Sequence, residues 1–408
     1  MRVALLTREY LPETAWGGIG SFYQAFATSL RDAGHQVEVF TQGLKQRATT
    51  NQSGILVHTV LPRFYLIGRP RGGEFGGMHA NHVGSFALAL ALAIRHAWIA
   101  RHRAQPFDIV EAHEHLGIGG TLGRAATGAV HVERYHVAYD LLARRRLEAW
   151  PTSGMVRRLE RRSLDCADLR IATTHFIDRQ TQRAFPGVPA AQKVIPIANG
   201  ISMTEPVRQE AKERLIVFVG RLAEVKRPAM MARAFARLAR ATASTAAPWR
   251  LEIAGADGPC PRGGTSWSEM RRLLGTAAEH CRYWGVVDRP HLFEILRRAR
   301  VIAVPSAFES FGLAALEAMT FGCIPVVSND TALPEIVGDT GVVFENGDED
   351  AFVEALQAVT ALPIERLRER SERTSLRSNT CFSGTTLLHQ NLAAFEEALQ
   401  AKRGEHNG

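Results

Sequence analysis

Short apolar runs alternate with longer segments of helical period along most of the chain. Arg2–Thr7 (RVALLT) is a nearly continuous apolar run of strand length and reads as a strand buried on both faces. Ser21–Ala33 carries Phe22, Ala25, Phe26 and Leu30 at helical spacing and stops at Gly34. Gln36–Thr41 alternates as a strand, and the same reading predicts strands at Ile55–Val60, Phe107–Ala112, Val130–Tyr135 and Leu169–Thr173. Helices are predicted around Ala80–His102 and His175–Phe185. Repeated strand–helix alternation is the pattern of a parallel sheet covered on both faces.

A second series begins at Leu215–Val219 (LIVFV), which ends in Gly220. It continues with a helix over Ala229–Arg240 and strands at Arg250–Ala254, Arg282–Gly285, Val301–Pro305, Pro325–Ser328 and Val342–Phe344. Between the two series, residues 199–213 hold Pro206 and polar residues without a period. The expected architecture is therefore α/β: two doubly wound, Rossmann-like domains facing a central cleft, spanning 1–205 and 206–380. A last segment, 381–408, holds the helical stretch Leu387–Leu399, expected to pack back across the domains. Ligands of such sheets sit at the carboxyl ends of the strands, so the residues just after each strand matter most.

The strongest chemistry follows Val301–Pro305, where the chain reads PSAFESFGLAALEAMTFGCIPVV. Glu309 falls in the loop, Ser310, Phe311 and Gly312 then open a helix, and Glu317 lies inside it. Helix-opening N–H groups attract anions, and a carboxylate beside them can accept hydrogen bonds from sugar or ribose hydroxyls. Arg221 and Lys226 follow the first strand of the second series, where two cations could stabilise a departing phosphate. The plainer reading of each is a solvated helix start. In the first half, Gly17, Gly18 and Gly20 form a loop after Trp16 that is not the dinucleotide pattern GxGxxG. His113-Glu114-His115 and His136 each follow a strand. The spacing of His113, His115 and His136 fits no standard zinc pattern, and satisfied structural histidines are the alternative.

Together these stretches resemble glycosyltransferase family 4, retaining enzymes with the two-domain GT-B fold. The resemblance rests on Glu309 and Glu317 with the following Ala-Met, Gly and Pro-Val-Val, and on Val219-Gly220-Arg221-Leu222 with Lys226. Ile197-Ala198-Asn199-Gly200-Ile201, Trp16-Gly17-Gly18-Ile19-Gly20 and Gly255-Ala256-Asp257-Gly258-Pro259 extend it over most of the chain. It implies a transferase that moves a sugar from a nucleotide-sugar to an acceptor hydroxyl without a metal or other cofactor. By resemblance, Arg221 and Lys226 hold the diphosphate, Glu309 the donor-sugar hydroxyls and Glu317 the ribose. His136 lies near the reacting carbon, and Gly18, Gly255, Ser310, Phe311, Gly312 and Leu313 complete the donor site. Trp16, Gly17 and His113 are acceptor-side candidates. A nucleotide-sugar epimerase on the same fold, or a non-catalytic nucleotide-sugar or glycan-binding partner, are the alternatives.

Composition narrows the setting. Hydrophobic residues form 46% and charged residues 22% of the 408 residues, enough for large cores and against disorder. A net charge of +8 favours anionic partners. Five cysteines without a CxxC argue against a disulfide framework and for a reducing cytoplasm. The longest apolar run, Phe86 to Ile94, is short of the ~20 residues of a membrane span. An export signal is not expected, since the opening apolar run meets Arg8 and Glu9.

The acceptor is expected to be a glycan, a lipid-linked sugar or a small molecule. The Gly-rich stretch Pro62–Ser85, with Arg63, Arg69, Arg71, Phe64, Tyr65 and Phe75, could fold over it or form a plain surface loop. The basic stretch Arg144–Arg162 places Arg157, Arg158, Arg161 and Arg162 on one helix face. That face could touch an anionic membrane or be merely solvated, partly neutralised by Glu160 and Asp165. No aromatic residues interleave with these arginines, so nucleic acid is not an expected partner.

Overall fold

The computed structural model describes residues 1–10, 18–43, 48–62, 80–123, 128–144, 153–198, 212–242, 247–261 and 263–407. The chain divides into two units, Met1–Ala198 with Gly384–Gly408, and Asn199–Ser383. The first carries an eight-stranded sheet of β1 (Arg2–Leu6), β2 (Gln36–Gln42), β3 (Ala48–Gln52), β4 (Ile55–Val60), β5 (Ile109–His113), β6 (Val130–Tyr135), β7 (Leu169–Ala172) and β8 (Lys193–Val194). Their order is β3-β4-β2-β1-β5-β6-β7-β8. All neighbours run parallel except β3, which pairs antiparallel with β4.

The second sheet holds β9 (Leu215–Val219), β10 (Arg250–Ala254), β11 (Cys281–Tyr283), β12 (Val301–Val304), β13 (Ile324–Ser328) and β14 (Val342–Phe344), in the order β11-β10-β9-β12-β13-β14. Each sheet winds outward in both directions from its first strand. The switch points, where such folds bind ligands, lie between β1 and β5 and between β9 and β12.

The central strands are buried on both faces, as their unbroken apolar runs require. β1 and β12 are buried at every position. The core of the second unit joins Phe218, Met231, Phe235, Leu251, Ile253, Val301, Val326 and Phe352. In the first unit the helix Ala80–Ala104 lays Phe86, Leu90, Ile94 and Trp98 against Leu6, Phe40 and Val110. Its Val83–Ala104 segment is long and apolar enough to cross a membrane by length and composition. The helix continues through Arg95 and His96, as expected from the helical reading of Ala80–His102. Its apolar stripe serves the sheet: Leu90, Ile94 and Trp98 are fully buried.

The carboxyl-terminal helix Gly384–Asn407 belongs to the first unit. Phe395 is fully buried beside Phe26, with ring centroids 6.4 Å apart. Lys402 reaches Asp168 at 2.7 Å, and Arg134 donates to Asn391 at 2.6 Å. Arg134 also makes a buried two-pronged pair with Glu111, at 2.7 and 3.0 Å, between the adjacent strands β5 and β6. Breaking such a pair leaves a charge buried alone, at a cost of about 3–5 kcal/mol.

Candidate active site

At the switch point of the second sheet, the loops after β9 and β12 are tied together. Ala307 N donates to the Val225 carbonyl at 2.7 Å, which sets Lys226 beside Glu309. Lys226 and Glu309 form an ion pair through Nζ and Oε1, and Ser306 donates to the same oxygen at 3.0 Å. Arg221, five residues before Lys226, is exposed and has no charged partner among the described residues. Arg227 is left-handed (φ 53°) and anchors the loop by donating to Asn346 at 2.6 Å and to the Pro305 carbonyl at 3.3 Å.

Gly312, with φ 100°, precedes the helix Leu313–Thr320, so the helix opens at Leu313 rather than at Ser310. Phe311 turns its ring into the unit, 3% exposed, which leaves its main chain rather than its ring on the site side. Ser310 and Leu313 are partly exposed. Glu317 lies on the helix as expected and pairs with Arg289 at 3.0 Å. Burial raises its carboxyl, and Arg289 opposes that shift.

The glycine turn after β10 has a steric cause. Gly255 has φ 151°, and a Cβ there would lie 2.0 Å from the Gly220 carbonyl oxygen. The two strand ends therefore approach main chain to main chain. Asp257 accepts from Gly258 N at 2.8 Å and Trp267 N at 2.9 Å; burial raises its carboxyl, but hydrogen bonds from Thr265, Trp267, Gly258 and Ser266 together hold it below the usual range.

The histidines gather at the other switch point. His113 ends β5, and its Nε2 lies 3.3 Å from Thr7 Oγ1, just past β1. His136 follows β6, with ring centroids 6.1 Å from His113, 5.9 Å from Tyr23 and 4.9 Å from Phe22. Phe22 and Tyr23 sit in the first turns of the helix Gly18–Asp32, so Gly18 opens the element that covers these rings. Trp16 and Gly17 lie outside the described residues, as do Asn199–Ile201, residues 63–79 of the Gly-rich stretch, Arg145 and Arg146.

Burial keeps His113 and His136 neutral, well below the ordinary histidine range. The other histidines add to this, with Arg8 acting on His113 and Arg134 on His136. His115 is pushed down to about 4 by burial and by Arg8. Glu114 is raised well above the usual carboxylate range by burial. Its Oε2 accepts from His136 N at 3.0 Å, while its Oε1, His113 Nδ1, His136 Nε2 and Tyr23 Oη are buried without a protein partner. Among the described residues no group of three or more His, Cys, Asp or Glu side chains converges as a metal site.

The basic helix departs from expectation. In Gly154–Cys166, Arg157 pairs with the buried Asp140 and donates to the Ala184 carbonyl at 2.8 Å. Arg161 pairs with Asp165 at 2.7 Å and reaches the Pro186 carbonyl at 2.8 Å. Only Arg158 and Arg162 of the four are exposed. Glu160 does not neutralise this face at all, because it is fully buried on the opposite side. Four functional candidates were not singled out from the sequence: Glu114, Tyr23, Arg289 and Glu160.

Solved glycosyltransferases share this two-sheet architecture over nearly the whole chain, which places the molecule in the GT-B class. Sucrose-phosphate synthase from Thermosynechococcus elongatus superposes with a TM-score of 0.74 at 20% identity, covering 98% of this chain and 99% of that one. The UDP-forming α,α-trehalose-phosphate synthase from Burkholderia xenovorans, solved with glucose-6-phosphate, gives 0.66 at 16% identity, covering 97% and 100%. The D-inositol 3-phosphate glycosyltransferase of Mycolicibacterium paratuberculosis is 26% identical over an alignment that covers 96% of this chain and 88% of that protein. The model for Glycosyltransferase Family 4 matches residues 16–205, and that for Glycosyl transferases group 1 matches residues 213–361. The chain belongs to glycosyltransferase family 4 and is a glycosyltransferase.

Proposed function

We propose that the protein transfers a sugar from a nucleoside-diphosphate sugar to an acceptor hydroxyl with retention of anomeric configuration. The observation that carries this reading is the Lys226–Glu309 pair beside the exposed Arg221 at the β9/β12 switch point. A departing diphosphate gains negative charge as the glycosidic C–O bond breaks, and two fixed cations stabilise that charge. Drawing Lys226 toward the phosphates would release a Glu309 oxygen to accept from a donor-sugar hydroxyl. The leaving phosphate oxygen takes the acceptor's proton as the new C–O bond forms, so no protein carboxylate is assigned as nucleophile. Glu317 would accept from the ribose, and the neutral His136 would hold a sugar hydroxyl. No metal or other cofactor is given a step.

For the acceptor we propose a phosphorylated small molecule. The supports are the positive net charge of the chain and the phosphorylated sugars or polyols in the names of three similar proteins. A reducing, cytoplasmic setting suits the five free cysteines. A peripheral contact with anionic membrane would rest on Arg158 and Arg162. At about 1 kcal/mol per basic residue near such a surface, two arginines make a weak seat.

The test is a screen of nucleotide-sugars and phosphorylated acceptors. It reads nucleoside diphosphate release and the anomeric configuration of the product by NMR. Inverted product, or a free altered sugar released without acceptor, sinks the reading.

A further inference from the structure

The loop that carries His136 is held by a carboxyl group from a neighbouring helix. Glu160, in the helix Gly154–Cys166, accepts three main-chain N–H bonds: Leu116 at 3.1 Å, Tyr139 at 2.5 Å and Asp140 at 3.1 Å. Leu116 belongs to the segment after β5, and Tyr139 and Asp140 to the segment after β6. Two further bonds stitch these same segments. His136 N donates to Glu114 Oε2 at 3.0 Å, and His115 Nδ1 lies 3.1 Å from the Val137 carbonyl. One carboxylate thus closes a ring of bonds around the strand ends that bear His113, His115 and His136.

The backbone there is bent out of its preferred conformations. Leu116 is left-handed at φ 63°, a conformation that costs any residue with a Cβ, and its N–H is one of the three bound by Glu160. Gly117 is also left-handed, and a Cβ on it would lie 2.4 Å from the Leu159 carbonyl carbon. A Cβ on Gly120 would lie 2.4 Å from the Leu159 oxygen. The helix therefore meets this segment backbone to backbone, with Glu160 at the contact. Asp140, fully buried, adds a second link to the helix through Arg157. Strain of this kind persists only where surrounding bonds over-determine it, and it gathers at functional sites.

We infer that Glu160 is a positioning residue: it fixes the loop 136–140 so that the His136 ring keeps its place at the β1/β5 end of the first sheet. The inference rests on the proposed role of His136 in transfer. Glu160 touches no reacting atom and acts only through the main chain it holds.

A double-mutant cycle tests it, because a residue acting through another loses its effect when that other is removed. Glu160→Gln keeps the volume but turns an amide donor toward one of the three N–H groups. A small misplacement of a reacting group costs about ten- to a hundredfold in rate, and transfer by this variant should fall on that scale. Nucleoside diphosphate affinity, measured by calorimetry, should stay within about twofold, because its proposed determinants lie in the second unit. In the His136→Ala background the same substitution should change transfer no further. Should Glu160→Gln fail to fold, Glu160→Asp replaces it in the cycle, since its shorter carboxyl keeps the acceptor oxygens but not the reach. Independent, multiplying losses in the cycle, or a wild-type rate for the Glu160 variant beside an impaired His136→Ala, overturn the inference while leaving the proposed function intact. A wild-type rate for His136→Ala removes the histidine from that function and this inference with it.

Discussion

Lys226 and Glu309, 83 residues apart in sequence, meet as an ion pair because the loops after β9 and β12 share a main-chain bond from Ala307 to Val225. The pair is part-buried, with the Glu309 side chain 12% exposed, so each charge is held without full hydration. Arg221→Ala and Lys226→Ala should each lower transfer about 10²–10³-fold, the usual scale for losing one transition-state charge contact. Both should weaken binding of the free nucleoside diphosphate. Wild-type transfer by both variants would remove the phosphate role from this corner of the fold.

Glu309→Gln separates the two halves of the pair. It removes the partner of Lys226 while keeping the side-chain volume, so folding should survive. Transfer should drop, while nucleoside diphosphate affinity should hold or rise, since Lys226 is freed for the phosphates. Calorimetry with the diphosphate beside a transfer assay reads both. A diphosphate affinity that falls in step with transfer would move Glu309 from the sugar to the nucleotide.

Gly255→Ala tests the close approach of β9 and β10. The added Cβ would fall 2.0 Å from the Gly220 carbonyl oxygen, and the φ of 151° is itself unfavourable for alanine. Main chain, unlike a side-chain tip, cannot swing aside. The expected loss is about 3 kcal/mol or more of stability, the range of severe single substitutions. Urea unfolding checks it, and a loss below about 1 kcal/mol would mean that the turn relaxes freely.

Much of this was legible because strand ends are local. Lys226, Glu309, Glu317, His113 and His136 each follow a strand within a short stretch, and a doubly wound sheet converts such positions into neighbours. What was not legible depends on distant partners. The polar edge strand β3 (ATTNQ) has no apolar face to betray it. The Arg134–Asn391 bond joins residues 257 apart, and no local pattern encodes it. Glu160 was hidden by its arginine neighbours, which made it look like a surface counter-charge. A signal did exist: Val156, Leu159, Glu160 and Ser163 are all buried and stand at i, i+3, i+4 and i+7 of one helix, so the carboxylate occupies the core stripe.

The buried ionisable groups of the first unit make a prediction about pH with two opposed limbs. His115 is pushed down to about 4, and His113 and His136 are lowered as well, so the folded protein keeps these rings neutral where unfolded histidine takes up protons near 6.5. A depressed pKa contributes stability that is present above pH 6.5 and is lost as pH falls toward 4. The slope is about 1.4 kcal/mol per pH unit for each ring held neutral. Glu160 has the opposite sign. Burial pushes its carboxyl up to about 8, against the pull of its three N–H donors. A raised carboxyl contributes stability present below its unfolded value and lost as pH rises through about 8. Urea unfolding of the wild type between pH 5 and 8.5 should therefore show a loss toward alkaline pH that Glu160→Gln reduces by its own share, while the raised Glu114 keeps its share. His115→Gln should leave that limb alone and remove one ring's share of the acid limb, with His113 and His136 keeping theirs. Parallel slopes for the wild type and both variants would show that neither group is held away from its ordinary protonation by the fold.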